Sequence, residues 1–222
     1  MIVLVGSEKG GVGKSTIAAH AAVRLAMTNK PTILVDADPQ STSWSWAEAR
    51  KRHQPEAAKV DSQQMTGDIR PGIESLAASY GHIVIDCGGA DSVALRSGMM
   101  IAHRLIIPSK VARRDLETLR HVSTLVLTAN EKREASEQSP LLARVVFNMT
   151  RALPNFWSRI DAARATVESM GLGVSKYPIV DRVSYDDSQY QGGTVFDGNH
   201  DPKAFEEMER VLKSLLRKEQ PE

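Results

Sequence analysis

The chain is predicted to fold as a doubly wound α/β domain, a mostly parallel sheet with helices on both faces. Short β-branched apolar runs alternate with longer stretches of helical period, which is the pattern of βα units. A glycine-rich segment stands where the first apolar run gives way to the first helical pattern. Size agrees: 222 residues, 41% hydrophobic and 25% charged, can bury one sizeable core, so residues 1–222 are read as a single domain.

Taken along the chain, Ile2–Val5 is the first strand, four β-branched or apolar residues directly after Met1. Lys14–Met27 follows with helical period. Thr32–Asp36 is a strand, and a short extra one is expected near Ala58–Asp61. His82–Asp86, Arg104–Pro108, Ala143–Asn148 and Val174–Ile179 continue the series as near-continuous apolar runs, which suits strands covered on both faces. Helices fill most of the gaps. The clearest after the first are Leu116–Glu137 and Lys203–Lys218, the latter opened by Asp201 as a cap and Pro202 in the first turn. Glu131–Ser139 is polar enough to be a frayed helix end or an exposed loop. No repeat, low-complexity linker or domain border interrupts the pattern.

Composition excludes several classes. No apolar run is long enough to span a bilayer, and the amino terminus lacks the pattern of a signal peptide, so a cytoplasmic location is expected. The lone Cys87 precludes an internal disulfide framework and is too little for a cysteine-rich zinc site or an iron–sulfur cluster held by one chain. A net charge of +1 gives no global field, so any DNA affinity must come from a local patch of Lys and Arg.

The strongest signal is Gly6-Ser7-Glu8-Lys9-Gly10-Gly11-Val12-Gly13-Lys14-Ser15-Thr16 at the strand-to-helix junction. Glycines let backbone N–H groups approach phosphate oxygens, and the following helix adds its positive end. Lys14 is placed to reach β and γ phosphates, Ser15 to give its hydroxyl to Mg²⁺, and Thr16 to cap or pack the first turn. The segment reads as a P-loop nucleoside triphosphatase site. Lys9, five positions ahead of Lys14, is the extra residue: a second cation there offsets charge in a phosphoryl-transfer transition state.

Two carboxylate segments follow. Asp36 and Asp38, in Asp36-Ala37-Asp38-Pro39-Gln40, end an apolar strand two residues apart and suit metal or water; capping of a helix starting near Ser41 is the structural alternative. Asp86 closes the apolar run His82–Asp86, which reads as a Walker B strand with its carboxylate at the Mg²⁺ shell. Cys87, with no His beside it, is read as buried structure rather than as a nucleophile.

Lys9-Gly-Gly-Val-Gly-Lys14-Ser15-Thr16 resembles the deviant Walker A motif of the ParA/MinD ATPases, and with its small size and no DNA-reading extension the chain resembles the small ParA-type partition ATPases. The resemblance runs from Ile2 to the last helix. It implies an Mg²⁺-dependent ATPase that closes as a homodimer around two ATP molecules, with Lys9 acting across the interface. It implies further that Asp38, the better match, and then Asp36 supply a magnesium-linked, water-orienting carboxylate. Asn148 and Pro178, on loops after successive strands, are the candidates for the base, and preference for adenine comes from the resemblance alone. Cys87-Gly88-Gly89 and Arg113-Arg114 depart from the more proline-rich loops of many relatives, and the two arginines read as basic surface.

The resemblance also implies non-specific DNA binding through basic residues of the carboxy-terminal third, matched here by Arg182, Lys203, Lys213 and Arg217, with nucleoid association. A ParB-like or other partner would stimulate turnover, and the cargo would be a plasmid or another assembly. A MinD-like membrane-positioning ATPase is the alternative. Phe205, Met208, Val211, Leu212, Leu215 and Leu216 give the last helix an apolar stripe that fits lipid, but fits the covering of a sheet better. Trp44 and Trp46 belong either to a partner surface or to the core.

Overall fold

The computed structural model describes residues 1–89, 91–198 and 201–217. Seven strands form one sheet: β1 (Ile2–Val5), β2 (Thr32–Ala37), β3 (Asp61–Gln64), β4 (His82–Cys87), β5 (Arg104–Ser109), β6 (Leu142–Phe147) and β7 (Gly173–Val174). Their order is β3-β2-β4-β1-β5-β6-β7, and every pairing is parallel. From β1 the chain steps toward one edge through β2 and β3; from β4 it steps toward the other. The reversal puts a crevice at the carboxyl ends of β1 and β4, where α/β sheets bind ligands.

Helices α1 (Lys14–Ala26), α2 (Thr42–His53), α7 (Val183–Gln189) and α8 (Pro202–Leu216) cover one face of the sheet. The other face carries α3 (Arg70–Ala77), α4 (Val93–Met99), α5 (Arg113–Ala135) and α6 (Trp157–Glu168). Strand residues alternate between the two cores. Val3, Val5, Leu34, Val84, Ile106 and Val146 pack with α1 and α8, whereas Leu4, Val35, Ile85, Leu105 and Phe147 pack with α4 and α5. Both faces are buried, which explains the unbroken apolar runs.

The doubly wound parallel architecture expected from the sequence is therefore present, with two local corrections. The expected strand at Ala58–Asp61 lies instead at Asp61–Gln64. Its residues are polar because an edge strand needs only backbone pairing, from Ile33↔Asp61 to Asp36↔Gln64, and Val60 supplies the buried apolar contact just before it. The expected strand Val174–Ile179 is reduced to Gly173–Val174. Ser175 turns the chain by accepting from Tyr177 N–H, and Pro178 has no N–H to give the ladder. Pairing resumes beyond it, with Ile179 N–H donating to Phe147 O and Thr150 N–H to Ile179 O.

The three clearest helices are present. Leu116–Glu137 begins one turn earlier, at Arg113, and ends at Ala135. Asp201 caps α8 by accepting from Lys203 N–H, with Pro202 in the first turn; Lys218, the expected last residue, lies outside the described residues. Most of the apolar stripe of α8 is spent on the sheet, since Met208, Val211, Leu212 and Leu215 are buried and Leu216 partly so, while Phe205 stays exposed. Among the described residues no helix is long and apolar enough to cross a membrane.

Candidate functional site

The glycine-rich segment wraps the carboxyl end of β1 and enters α1. Gly13 stands at the N-cap with φ of 86°, a left-handed conformation that favours glycine. A Cβ there would lie 2.2 Å from Asn148 Nδ2. No acidic residue occupies the first turn of α1, so its positive end is left to an anion. The Lys14 side chain is buried, and its Nζ donates to Lys9 O at 3.0 Å. Gly88 and Gly89, after β4, bring the backbone close: a Cβ on Gly89 would meet Lys14 Nζ at 3.2 Å, and one on Gly88 would meet the Asp38 carboxyl at 3.3 Å. These glycines in the place of prolines thus let one loop touch both Lys14 and Asp38.

The carboxylates divide by environment. Asp36 and Asp86 are register partners on adjacent strands. Asp36 is satisfied by the fold, for Oδ1 accepts from Asp38 N–H and Oδ2 from Trp44 N–H in the first turn of α2. It performs the capping role rather than presenting a free oxygen. Asp38, half-buried just beyond the strand, accepts only from Gln40 N–H among the described residues and faces the Gly88 loop. Asp86 is fully buried, and neither oxygen has a hydrogen-bond partner. Burial pushes its carboxyl up to about 7; the Ser15 and Ser43 hydroxyls and the Lys14 ammonium oppose that rise, and Asp36 adds to it.

An orphaned buried carboxylate beside the Ser15 hydroxyl is a donor set that suits a hard divalent cation. Ser43 Oγ is likewise buried and unpaired. Among the described residues no group of three His, Cys, Asp or Glu side chains could hold a metal alone. Magnesium takes one or two protein oxygens and completes its shell with water and phosphate, a demand that Asp86 and Ser15 can meet.

Lys9 is turned toward the first turn of α5. Its side chain is 41% exposed, and Nζ lies 3.2 Å from Asp115 Oδ1, without the alignment of a hydrogen bond. Asp115 is buried in the first turn of α5. Sequence reasoning missed it as a site residue, because its partner is 106 positions away and no local pattern marks it. His121 was missed for the same reason: Nε2 sits 3.2 Å from Glu8 Oε1 in the phosphate loop and 3.3 Å from Asp91 Oδ2 beyond β4. Arg96 also pairs with Asp91 and holds its carboxyl below the usual range.

The other expected residues fall into place unevenly. Asn148 donates from Nδ2 to Val12 O at 2.8 Å, fastening β6 to the phosphate loop. Pro178 lines a cavity of about 550 Å³ with Arg151, Trp157, Arg182, Lys203 and Arg210. Lys213 and Arg217 line a neighbouring cavity of about 650 Å³ with Arg24, Lys30 and Arg210. The four expected DNA residues therefore divide between two cavities that share Arg210. Arg182 is held by Glu207 at 3.4 Å and Asp201 at 3.8 Å, and Lys213 by Glu209 at 3.1 Å, whereas Lys203 is exposed. Cys87 is buried, and its thiol is pushed up by that burial, which removes the thiolate a nucleophile needs. Trp46 is core, its Nε1–H donating to Gly193 O.

Residues 3–194 match the CobQ/CobB/MinD/ParA nucleotide binding domain. The carboxysome-distribution maintenance protein A of Gloeobacter kilaueensis is 37% identical over 121 residues, which cover 53% of this chain and 53% of that protein, so the match spans about half the relative's length. Protein ParA of Rhizobium radiobacter is 26% identical over 194 residues, 87% of this chain and 84% of that one. Among solved structures, the ATP complex of a Cyanothece McdA variant superposes with a TM-score of 0.71 at 16% identity, covering 100% of this chain and 98% of the other, which is a likeness of fold. With the match spanning nearly the whole sheet and the two-lysine loop at its crevice, this chain belongs to the CobQ/CobB/MinD/ParA family of nucleotide-binding proteins.

Proposed function

We propose that this chain is an Mg²⁺-dependent ATPase that dimerises on ATP and binds DNA non-specifically, partitioning or positioning a plasmid or other cargo in the cytoplasm at the nucleoid. The observation that carries the reading is the division of labour between two lysines: Lys14 buried inside the phosphate loop, Lys9 half-exposed above it. One cation serves its own chain, and the other is free to serve a second copy once released from Asp115. Names of relatives support the biological setting, since they describe a ParA protein and a protein of carboxysome distribution.

The loop amides from Gly10 to Thr16 and the positive end of α1 bind phosphate oxygens. Lys14 neutralises the terminal phosphates. Ser15 and Asp86 would hold magnesium, which would neutralise phosphate charge as it develops. Asp38, with an unfilled oxygen beside the Gly88 loop, orients the attacking water. Asn148 keeps the loop in shape from beneath, close to where the base rests, with Pro178 on the following segment. The cations Arg182, Lys203, Lys213 and Arg217 form, with Arg210, an interrupted basic band on the α8 side. Two copies placed together double its phosphate contacts, so a net charge of +1 is no obstacle to binding. A ParB-like or other stimulating partner completes the cycle.

The test combines turnover, sedimentation and ATP binding. Asp38→Ala should retain ATP binding and ATP-dependent dimers while hydrolysis slows by about 10²-fold or more. Lys9→Ala should lose dimers or turnover with ATP binding intact. Normal hydrolysis in the Asp38 variant, or full dimer turnover without Lys9, would contradict these assignments.

A further inference from the structure

Away from the crevice and the basic band, α5 and α6 run side by side over a groove of about 460 Å³. Its floor is apolar: Val111, Leu116 and Met170 are only partly covered by the fold, and Ala163 lies beneath them. Arg113, Leu116, Glu117 and Arg120 recur on α5 at helical spacing, and Arg159, Ala162, Ala163 and Thr166 do so on α6. Each helix thus gives one continuous face to the groove, and the two alanines leave room for an incoming side chain.

The rim is cationic. Arg113, Arg120 and Arg159 stand around the floor, and among the described lining residues Glu117 is the lone carboxylate, 3.0 Å from Arg113. Arg159 lies 5.7 Å over the Phe156 ring, which restrains its guanidinium at the edge. Guanidinium is the group suited to bidentate carboxylate recognition.

We propose that this groove docks an acidic amphipathic helix of a partner protein, apolar stripe on the floor and Asp or Glu flanks on the three arginines. Helix-in-groove recognition needs both features together. A nucleic-acid backbone would match the arginines but offer nothing to Val111, Leu116 and Met170. The docking chemistry does not rest on the ATPase reading.

Two labelled peptides of about 20 residues, long enough to form helix alone, carry the same leucine stripe flanked by Glu in one and Lys in the other. Fluorescence anisotropy on the full chain without nucleotide should show the Glu peptide bound and released by salt. The pair Arg120→Glu/Arg159→Glu should bind it about tenfold more weakly, with melting temperature and ATP binding unchanged. Because nucleotide is absent, failure here is separable from failure of the ATPase assays. Equal binding of both peptides, an unaffected double variant, or loss of duplex DNA retention in its place would overturn the proposal.

Discussion

Asp86→Asn isolates the electrostatic strain at the crevice. In the folded chain the Asp86 carboxyl holds its proton up to about pH 7, against an ordinary value of 3.8, chiefly because it is buried. A gap of about 3 pH units at 1.36 kcal/mol each corresponds to about 4 kcal/mol. The sign follows from proton counting. Between about pH 4 and pH 7 the native state binds the extra proton, so stability falls as pH rises, and the whole penalty is present above pH 7. Asparagine keeps the shape and cannot ionise. Urea denaturation in EDTA should therefore find the variant more stable than the wild type at pH 8, by up to about 4 kcal/mol; the difference should vanish toward pH 4. His20, buried with its ring pushed down to about 4, acts in the same window with opposite sign. It is present in both proteins and cancels in the difference. Adding Mg²⁺ and ATP should reverse the order, since only the carboxylate offers a charged oxygen. Parallel stability curves for the two proteins from pH 4 to pH 8 would refute the account of Asp86 as a strained, cation-ready carboxylate.

Gly13→Ala should impose a left-handed alanine and push Asn148 from Val12, weakening ATP binding by about 2–3 kcal/mol, measured by titration calorimetry; an unchanged affinity would clear Gly13 of that constraint. Arg50 is 2% exposed and grips Asp197 with two guanidinium nitrogens at 2.8 and 2.9 Å while also donating to Gly192 O and Ala58 O. Arg50→Met should cost about 3–5 kcal/mol in urea denaturation by leaving Asp197 without its cation, with only the Thr194 N–H and hydroxyl as partners, and a loss under 1 kcal/mol would disprove that buried dependence. Lys203→Glu and Arg182→Glu should each weaken ATP-dependent DNA retention in a filter assay without loss of ATP binding, and the Lys203 change, on an exposed side chain, is the cleaner of the two. Full retention in both would remove the α8 side from the DNA surface.

Local pattern determined most of the frame. The apolar runs gave β1, β2, β4, β5 and β6 to within a residue or two because both of their faces are buried. The spacing of Lys9, Gly13, Lys14 and Ser15 is a statement about one continuous loop, so it was legible before any folding. β3 and β7 were misplaced because an edge strand is held by backbone pairing, which leaves little trace in side chains.

Tertiary structure alone decided which carboxylate is free. Asp36 and Asp86 look alike as strand-terminal aspartates, yet α2 gives the first the Trp44 N–H and the second only the Ser43 hydroxyl, which leaves both Asp86 oxygens without a hydrogen bond. It also decided what Lys9 touches, because Asp115 arrives from the start of α5, on the far side of four intervening strands in sequence. Electrostatic environment depends on distances through space, and in a doubly wound sheet the nearest charge is supplied by whichever crossover ends beside it. The sequence names the groups that carry charge; the fold decides which of them remain uncompensated.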